Sequence, residues 1–569
     1  MKNREILWTR KKQPTPSPRR RPGSITHCNY WIPAFAGMTK RVRKRLFTRP
    51  SRIQNEEVMN GAECLVKTAK DLGISVCFAN PGTTELPLVV ALDTVGGIRP
   101  VLGLFEGVCT GAADGYARML QKPAMAILHL GPGLANGIAN LHNARRARSM
   151  MVNVVGEHTT WHLASDPPLA MDIESLAKTV SGWHRTCNSA KRFAEDMANA
   201  VNAAKQGQIA TLIVPFDLQK EKNVEAAVVP DSRGKQSIHY EEIKSAAALL
   251  KKDKKAALFF SHNHIGRDAL MAAARIKQAC GCDLLTDNFP AHIERGAGLP
   301  DVMRIPYLPE MAMDMLSKYE VFVFIGSKEP VSFFGYEGIP AYYLKDGQTR
   351  FHLSNELQDL LEILEALAGE LDAARITDAG ILASFQRPKI PTGALNSFKI
   401  CSVIAALQPE NAIVVEEAVT TGVMYYPVAS NIPPFSLLTL TGGALGQGAP
   451  CAVGAAIACP DRPVINFQAD GAGMYTLQAL WTEAKEGLNI KTLICSNRSY
   501  DILKLEYGRL GVLPETCASY LTDLSGIDWV SLGKGMGVPS VRVTTAEELV
   551  KELGKALDEK GPNLIQMEL

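Results

Sequence analysis

FQADGAGMYTLQALWTEAKEGLNIKTLICSNRSY, residues 467–500, holds two apolar runs joined by an amphipathic stretch. The first run ends in Asp470-Gly471 and the second in Asn497, 27 residues on. Read as strand 464–470, helix near 474–487 and strand 491–497, this is one βαβ unit. A right-handed crossover returns the chain beside its first strand, so Asp470 and Asn497 both emerge at strand C-terminal ends, where open α/β sheets bind ligands. A carboxylate, an amide oxygen and a backbone carbonyl are hard oxygen ligands, suited to Mg²⁺ or Ca²⁺ and not to zinc. Mg²⁺ keeps positions open for phosphate oxygens, and the glycine-rich helix start after Gly471 offers free N–H groups, so the predicted ligand is a diphosphate. On spacing alone the same residues also read as a helix cap at Asp470 and a turn at Asn497.

The alternation extends outward to the whole chain from Met59. VCFANPG, PVLGLFE, PAMAILHLGPG, SMMVNVVGEH and ATLIVPFDL are apolar runs separated by helical stretches, the pattern of a parallel sheet. A polar stretch at about 219–238 reads as a linker. AALFFSH, CDLLTD and YEVFVFIGS supply a second α/β block, and AIVVEEA, PVINFQAD, KTLICSN and PNLIQMEL a third. The expected fold is therefore α/β, with three doubly wound parallel-sheet domains at 59–222, 237–356 and 390–569, which suits a chain of 569 residues. Blocks one and three share a small-residue helix, a Pro, a buried strand and then Gly: GAADGYARMLQKPAMAILHLGPG against CAVGAAIACPDRPVINFQADGAG. One reads as a diverged copy of the other.

Composition is that of a globular enzyme, 46% hydrophobic and 21% charged. No apolar run approaches the roughly 18 residues that cross a bilayer, so no membrane span is expected. The net charge of +3 conceals an asymmetry: residues 1–50 carry +13, with Glu5 their one acid, which leaves −10 on the remainder. A basic groove for nucleic acid is not expected on so acidic a body. The basic leader, 1–58, is read as an upstream extension with Met59 as the start, the alternatives being a transit peptide or a solvated interaction tail. Twelve cysteines lack framework spacing, and Cys280-Gly-Cys282 is the one close pair; buried thiols in a reducing cytoplasm are the expectation. His262, Asn263 and His264 lack a carboxylate partner in sequence and read as loop residues, not metal ligands.

The 467–500 stretch resembles the thiamine diphosphate motif, Gly-Asp-Gly followed after about 27 residues by paired asparagines. The resemblance implies that Asp470, Asn497 and the Ser499 carbonyl hold Mg²⁺, with Gly471 and Ala472 beside the diphosphate. Ala469 stands at the motif's first Gly and Ser496 at its first Asn; neither position supplies a metal ligand in the family, though the Ala469 methyl narrows the backbone approach. FEGVCTGAADGYARMLQKPAMAILHLGPG in turn resembles the pyrimidine domain of the acetolactate synthase, pyruvate oxidase and benzoylformate decarboxylase superfamily, and the likeness covers nearly all of 59–569 in the order pyrimidine, middle and diphosphate domain.

That superfamily places a carboxylic acid against the aminopyrimidine. Glu106, closing the run PVLGLFE, takes this role, and burial at the end of so apolar a run predicts a raised pKa. NPGTTELP and AILHLGPG are most similar to benzoylformate decarboxylase, which puts Thr83 and His129 in the substrate pocket, His129 as proton relay. TGGALGQGAP, with Gly443, fits the loop that wedges a bulky side chain, here Leu445, between the cofactor rings. The second histidine of benzoylformate decarboxylase has no counterpart in EPVSFFGYEGIPAYYL, and the acetolactate synthase tryptophan is replaced in YDILKLEYGRLG by Glu506 or its neighbours. The implied enzyme is a homodimer or homotetramer with active sites between subunits, decarboxylating a 2-oxo acid and then protonating or ligating the product. Structural FAD, as in acetolactate synthases, has no residue here arguing for it. Two other readings stand beside this one. Gly131, Gly133, Gly137 and Glu157 loosely fit a dinucleotide-dependent oxidoreductase, and Ala469 with Ser496 suits a non-catalytic relative that binds the cofactor.

Overall fold

Three parallel sheets carry the chain in the computed structural model, which describes residues 59–222, 224, 238–252, 255–261, 264–354, 359–511 and 519–569. The leader 1–58, most of the linker at 219–238, His262 and Asn263 lie outside the described residues. In the first sheet β1 (Val76–Ala79), β2 (Arg99–Leu102), β3 (Ala124–Leu128), β4 (Met151–Glu157), β5 (Trp183–Thr186) and β6 (Ile209–Pro215) run parallel in the order β2-β1-β3-β4-β6-β5. The second opens with β7 (Ala256–Phe260) and β8 (Asp283–Thr286); the chain leaves it through β9 (His292–Arg295) and returns with β10 (Met303–Arg304), β11 (Val321–Ile325) and β12 (Thr349–Ser354). Its order is β10-β8-β7-β11-β12, and its helical layer continues past residue 356, because the helix Leu360–Glu370 packs on Tyr240–Lys252 and Arg267–Cys280.

The third sheet holds β13 (Ile413–Glu417), β14 (Phe435–Thr439), β15 (Val464–Ala469), β16 (Ile490–Ser496), β17 (Ser540–Val543) and β18 (Asn563–Glu568), with β9 antiparallel at the edge beside β14. Numbered from its own first parallel strand, its order repeats that of the first sheet, so the shared sequence pattern is matched by shared topology.

The small-residue helices of the two blocks pack on each other. Glu106–Leu120 lies against Gly448–Ala458 so closely that a methyl on Gly115 would strike the Cys451 carbonyl, and one on Gly454 the Ala112 carbonyl. Val108, Ala112 and Tyr116 share one core with Cys451, Ala452 and Ala455. Glycine and alanine recur there because larger side chains would hold the backbones apart. Arg118, fully buried, pairs with Asp114 at 2.6 Å and donates to the Thr439 carbonyl at 2.9 Å, tying the first block to the third.

Candidate active site

The register Ala469↔Cys495 of β15 and β16 brings their C-terminal ends side by side. Asp470 is buried at 3% exposure, and burial pushes its carboxyl pKa up. Its Oδ2 accepts the Arg498 backbone N–H at 2.7 Å and its Oδ1 the Gly471 N–H at 2.7 Å. Arg498 adopts a left-handed φ of +56°, turning the chain so that the Ser499 N–H donates to Asn497 Oδ1 at 3.1 Å, while Asn497 Nδ2 donates to Asp501 at 2.8 Å. Ser499 Oγ is enclosed there without a hydrogen-bond partner. Asp470 and Asn497 thus bring a carboxylate and an amide oxygen to one turn, hard oxygen donors of the kind a divalent cation takes. Gly471 and Ala472 are buried in a single helical turn, Asp470–Gly473, beneath the Tyr500 ring. The helix expected near 474–487 is interrupted by the 3-10 turn Met474–Thr476 and resumes at Ala479–Glu486.

Beside this turn lies the loop 441–448. Gly443 and Gly446 have φ of +73° and +94°, values that favour glycine, and half-buried Leu445 sits between them. Glu417, closing β13, accepts Gly446 N at 2.6 Å, Gln447 N at 3.3 Å, Gly448 N at 2.6 Å and Gln468 Nε2 at 2.8 Å. Burial pushes its pKa up and these four donors pull it back. Asn143, on the helix Leu130–Ala147, grips Ala444 through both main-chain groups (2.7 and 3.1 Å), and His142 Nε2 donates to the Gly442 carbonyl at 3.1 Å. Glu417 and Asn143 thus hold this loop from two sides. Sequence reasoning missed Glu417; its signal was two acids ending the apolar run AIVVEEA.

The other group of residues gathers at the C-terminal ends of β1 to β4. Glu106 opens the helix Glu106–Leu120 and does not end a strand, because β2 stops at Leu102. It is 7% exposed, and Asn136 Nδ2 donates to its Oε2 at 3.0 Å. His129 caps the helix Leu130–Ala147, its ring resting on Gly82. Its Nδ1 donates to Oε2 of Glu85 at 2.8 Å. Glu85 is fully buried and also accepts the Gly82 N–H at 2.9 Å and the Thr84 hydroxyl at 2.6 Å. Thr83 opens the short turn Thr83–Glu85 and is exposed; the hydroxyl nearer His129, at 3.4 Å, belongs to Thr84. Glu85 is a second acid that sequence reading passed over, visible only as the Glu of NPGTTELP.

Glu106 and Asp470 share no hydrogen bond among the described residues; Asn140, His142 and Asn143 of the helix Leu130–Ala147 tie the first block to the loop through the Gly446, Gly442 and Ala444 carbonyls. The glycines that suggested a dinucleotide fingerprint serve helix packing instead: Gly137 abuts Thr110, and Gly133 faces Glu106 Oε1 at 3.3 Å from where its Cβ would be. The segment after Ser499 docks on the second block, with Tyr336 donating to Glu506 at 3.1 Å and Arg509 paired with Glu310 at 2.6 Å, while Phe333 of that block lies against Gly443 of the loop. His264 contacts His292 through ring nitrogens 2.9 Å apart, and His292 pairs with Glu294. Among the described residues no group of three or more His, Cys, Asp and Glu is placed to hold a metal.

Two family models match the chain: the thiamine pyrophosphate enzyme N-terminal TPP binding domain over residues 59–176 and the corresponding C-terminal domain over 422–567. The chain is 44% identical over 515 residues, 90% of its length and 99% of the relative's, to the "Putative acetolactate synthase large subunit IlvX" of Mycobacterium tuberculosis. It is 26% identical to the benzoylformate decarboxylase of Pseudomonas aeruginosa, covering 87% of this chain and 96% of that one. Among solved structures, the thiamine diphosphate-dependent 4-hydroxybenzoylformate decarboxylase of Rhodococcus jostii superposes with a TM-score of 0.76 at 22% identity, over 89% of this chain and 98% of the other. Benzoylformate decarboxylase of Polynucleobacter necessarius gives 0.73 at 22% identity, over 90% and 99%. These two likenesses speak to the fold.

Proposed function

Because the chain belongs to the thiamine pyrophosphate enzyme family, we propose that it binds thiamine diphosphate with Mg²⁺ and decarboxylates a 2-oxo acid, then protonates or ligates the product. The convergence of Asp470 with the Asn497–Ser499 turn, held by the Arg498 N–H, is the observation that carries this reading. Asp470, Asn497 Oδ1 and the Ser499 carbonyl would hold Mg²⁺, with Gly471 and Ala472 flanking the diphosphate. When bound, thiamine diphosphate supplies a carbanion-forming carbon and an electron sink. Leu445, on a loop clamped by Glu417 and Asn143, would be the side chain that bends the bound cofactor. Glu106, oriented by Asn136 in a nearly dry setting, is the acid that would face the cofactor's aminopyrimidine. Glu85 fixes His129 with its proton on Nδ1 and leaves Nε2 to exchange one with substrate, beside Thr83 and Thr84.

In this reading blocks 59–222, 237–356 and 390–569 are the pyrimidine, middle and diphosphate domains. In the family this reading follows, a homodimer or homotetramer sets Glu106 of one subunit against the cation site of another. No helix among the described residues is long and apolar enough to cross a membrane. The reading places the enzyme in the cytoplasm, where thiols stay reduced.

Calorimetry with thiamine diphosphate and Mg²⁺, followed by CO₂ release over a panel of 2-oxo acids, tests the proposal. Glu106→Gln is expected to keep cofactor binding and abolish turnover. Undiminished turnover in that variant removes the mechanism. Cofactor binding without CO₂ release from any 2-oxo acid replaces it with the non-catalytic reading that Ala469 and Ser496 motivate.

A further inference from the structure

Cys280-Gly-Cys282 lies apart from the site just described. Cys280 ends the helix Arg267–Cys280, Gly281 follows with a left-handed φ of +74°, and Cys282 leads into β8. A methyl on Gly281 would meet nothing within 4 Å, so the turn faces open space. Cys280 is half-buried and Cys282 is 1% exposed. Cys280 Sγ lies 3.1 Å from the Ile276 carbonyl, and the Cys282 thiol stands two residues on across the Gly281 turn. The neighbouring Cys282 thiol lowers the Cys280 pKa to about 7 against the effect of burial, and Cys280, with burial, raises that of Cys282. Cys459, the other described cysteine that is not buried, has its pKa pushed up by burial. One surface thiol of unusual acidity therefore has a second thiol held directly behind it, a pairing the flexible glycine between them permits.

We propose that Cys280 and Cys282 form a thiol–disulfide exchange site for small disulfides of the glutathione class. The Cys280 thiolate attacks one sulfur of the small disulfide; that S–S bond breaks, and the departing thiolate takes up a proton. Cys282 then gives up its proton and attacks Cys280 Sγ within the mixed disulfide, expelling the second small thiolate, which is protonated in turn. The two protein thiols are oxidised to one disulfide, the small disulfide is reduced to two thiols, and the two protons lost by the protein end on them.

The test uses the full chain, reduced, desalted and incubated with glutathione disulfide, followed by unreduced peptide mass mapping. The wild type is expected to lose two hydrogens at this peptide and retain no glutathione. Cys282→Ser should stop with glutathione attached to Cys280, and Cys280→Ser should take up none there. Alkylation of Cys280 at pH 7 should run severalfold faster than that of Cys459, whose pKa burial raises. Glutathione retained on wild-type Cys280, or no reaction in the folded protein while the urea-unfolded chain reacts, overturns the proposal. None of these outcomes depends on thiamine diphosphate.

Discussion

Glu483→Gln should flatten the pH dependence of stability. Glu483 lies on the helix Ala479–Glu486 with no exposure; among the described residues its carboxyl has one hydrogen bond, a long one from the Thr492 hydroxyl at 3.5 Å to Oε2, and its Oε1 is enclosed without a partner. Burial lifts its pKa from 4.5 to about 8, and the threonine hydroxyl offsets only part of this. The folded protein thus keeps the proton at pH 7, whereas the unfolded chain loses it above pH 4.5. The unfolded state binds fewer protons through this window, so stability falls as pH rises from about 4.5 to about 8 and is level on either side. At about 1.4 kcal/mol per pH unit, the loss reaches about 3 kcal/mol by pH 7.

Glutamine cannot titrate, and its amide brings an unsatisfied donor that costs about 1–3 kcal/mol at every pH. The decisive quantity is therefore the slope, not the absolute stability. Trp529, buried in one cluster with Leu480 of the same helix, offers a local fluorescence probe. Denaturant titrations from pH 4 to pH 8 should show wild type and variant diverging by about 3 kcal/mol between pH 4.5 and pH 7, in favour of the variant. Parallel curves would refute the claim that Glu483 is protonated in the fold, since every other titrating group is common to both proteins.

Gly454→Val should destabilise the chain by at least about 3 kcal/mol in thermal or denaturant unfolding, because the added carbons meet the Ala112 carbonyl, which cannot rotate away. Glu417→Gln puts an amide against four donors and should weaken thiamine diphosphate binding about tenfold or more by calorimetry while leaving far-UV dichroism unchanged; unaltered affinity would show that the loop does not need the clamp. Glu85→Gln should lower turnover on the preferred 2-oxo acid by about 10- to 100-fold with cofactor affinity unchanged, since His129 loses the carboxylate that orients its ring; unchanged turnover would leave Glu85 only a packing role.

What could be read directly from the sequence is what the chain encodes over short distances. The βαβ unit around Asp470 and Asn497 was legible because strand period, helix period and crossover hand all operate within 34 residues. The three sheets follow from the same alternation repeated. Boundaries shifted where tertiary packing outweighs local pattern: Glu106 begins a helix because β2 stops short of it, and the 474–487 helix breaks where Thr476 donates to the Gly446 carbonyl at 2.8 Å. Glu85 and Glu417 were not legible, because each acquires its meaning from residues 29 to 51 positions away that no local period relates to it.

The small-residue helices show the same limit from the other side. GAADGYARML and CAVGAAIAC are alike partly because each is the other's packing partner, and close approach demands small residues on both. That likeness was visible as a pattern, but its physical cause lies in the contact. The contact also bears on the chemistry, since the helix whose first residue is Glu106 is seated on the helix that follows the loop 441–448. Any substitution that separates the two helices should therefore displace the acid and the loop together, and lost turnover should accompany lost cofactor affinity even though neither group has been changed.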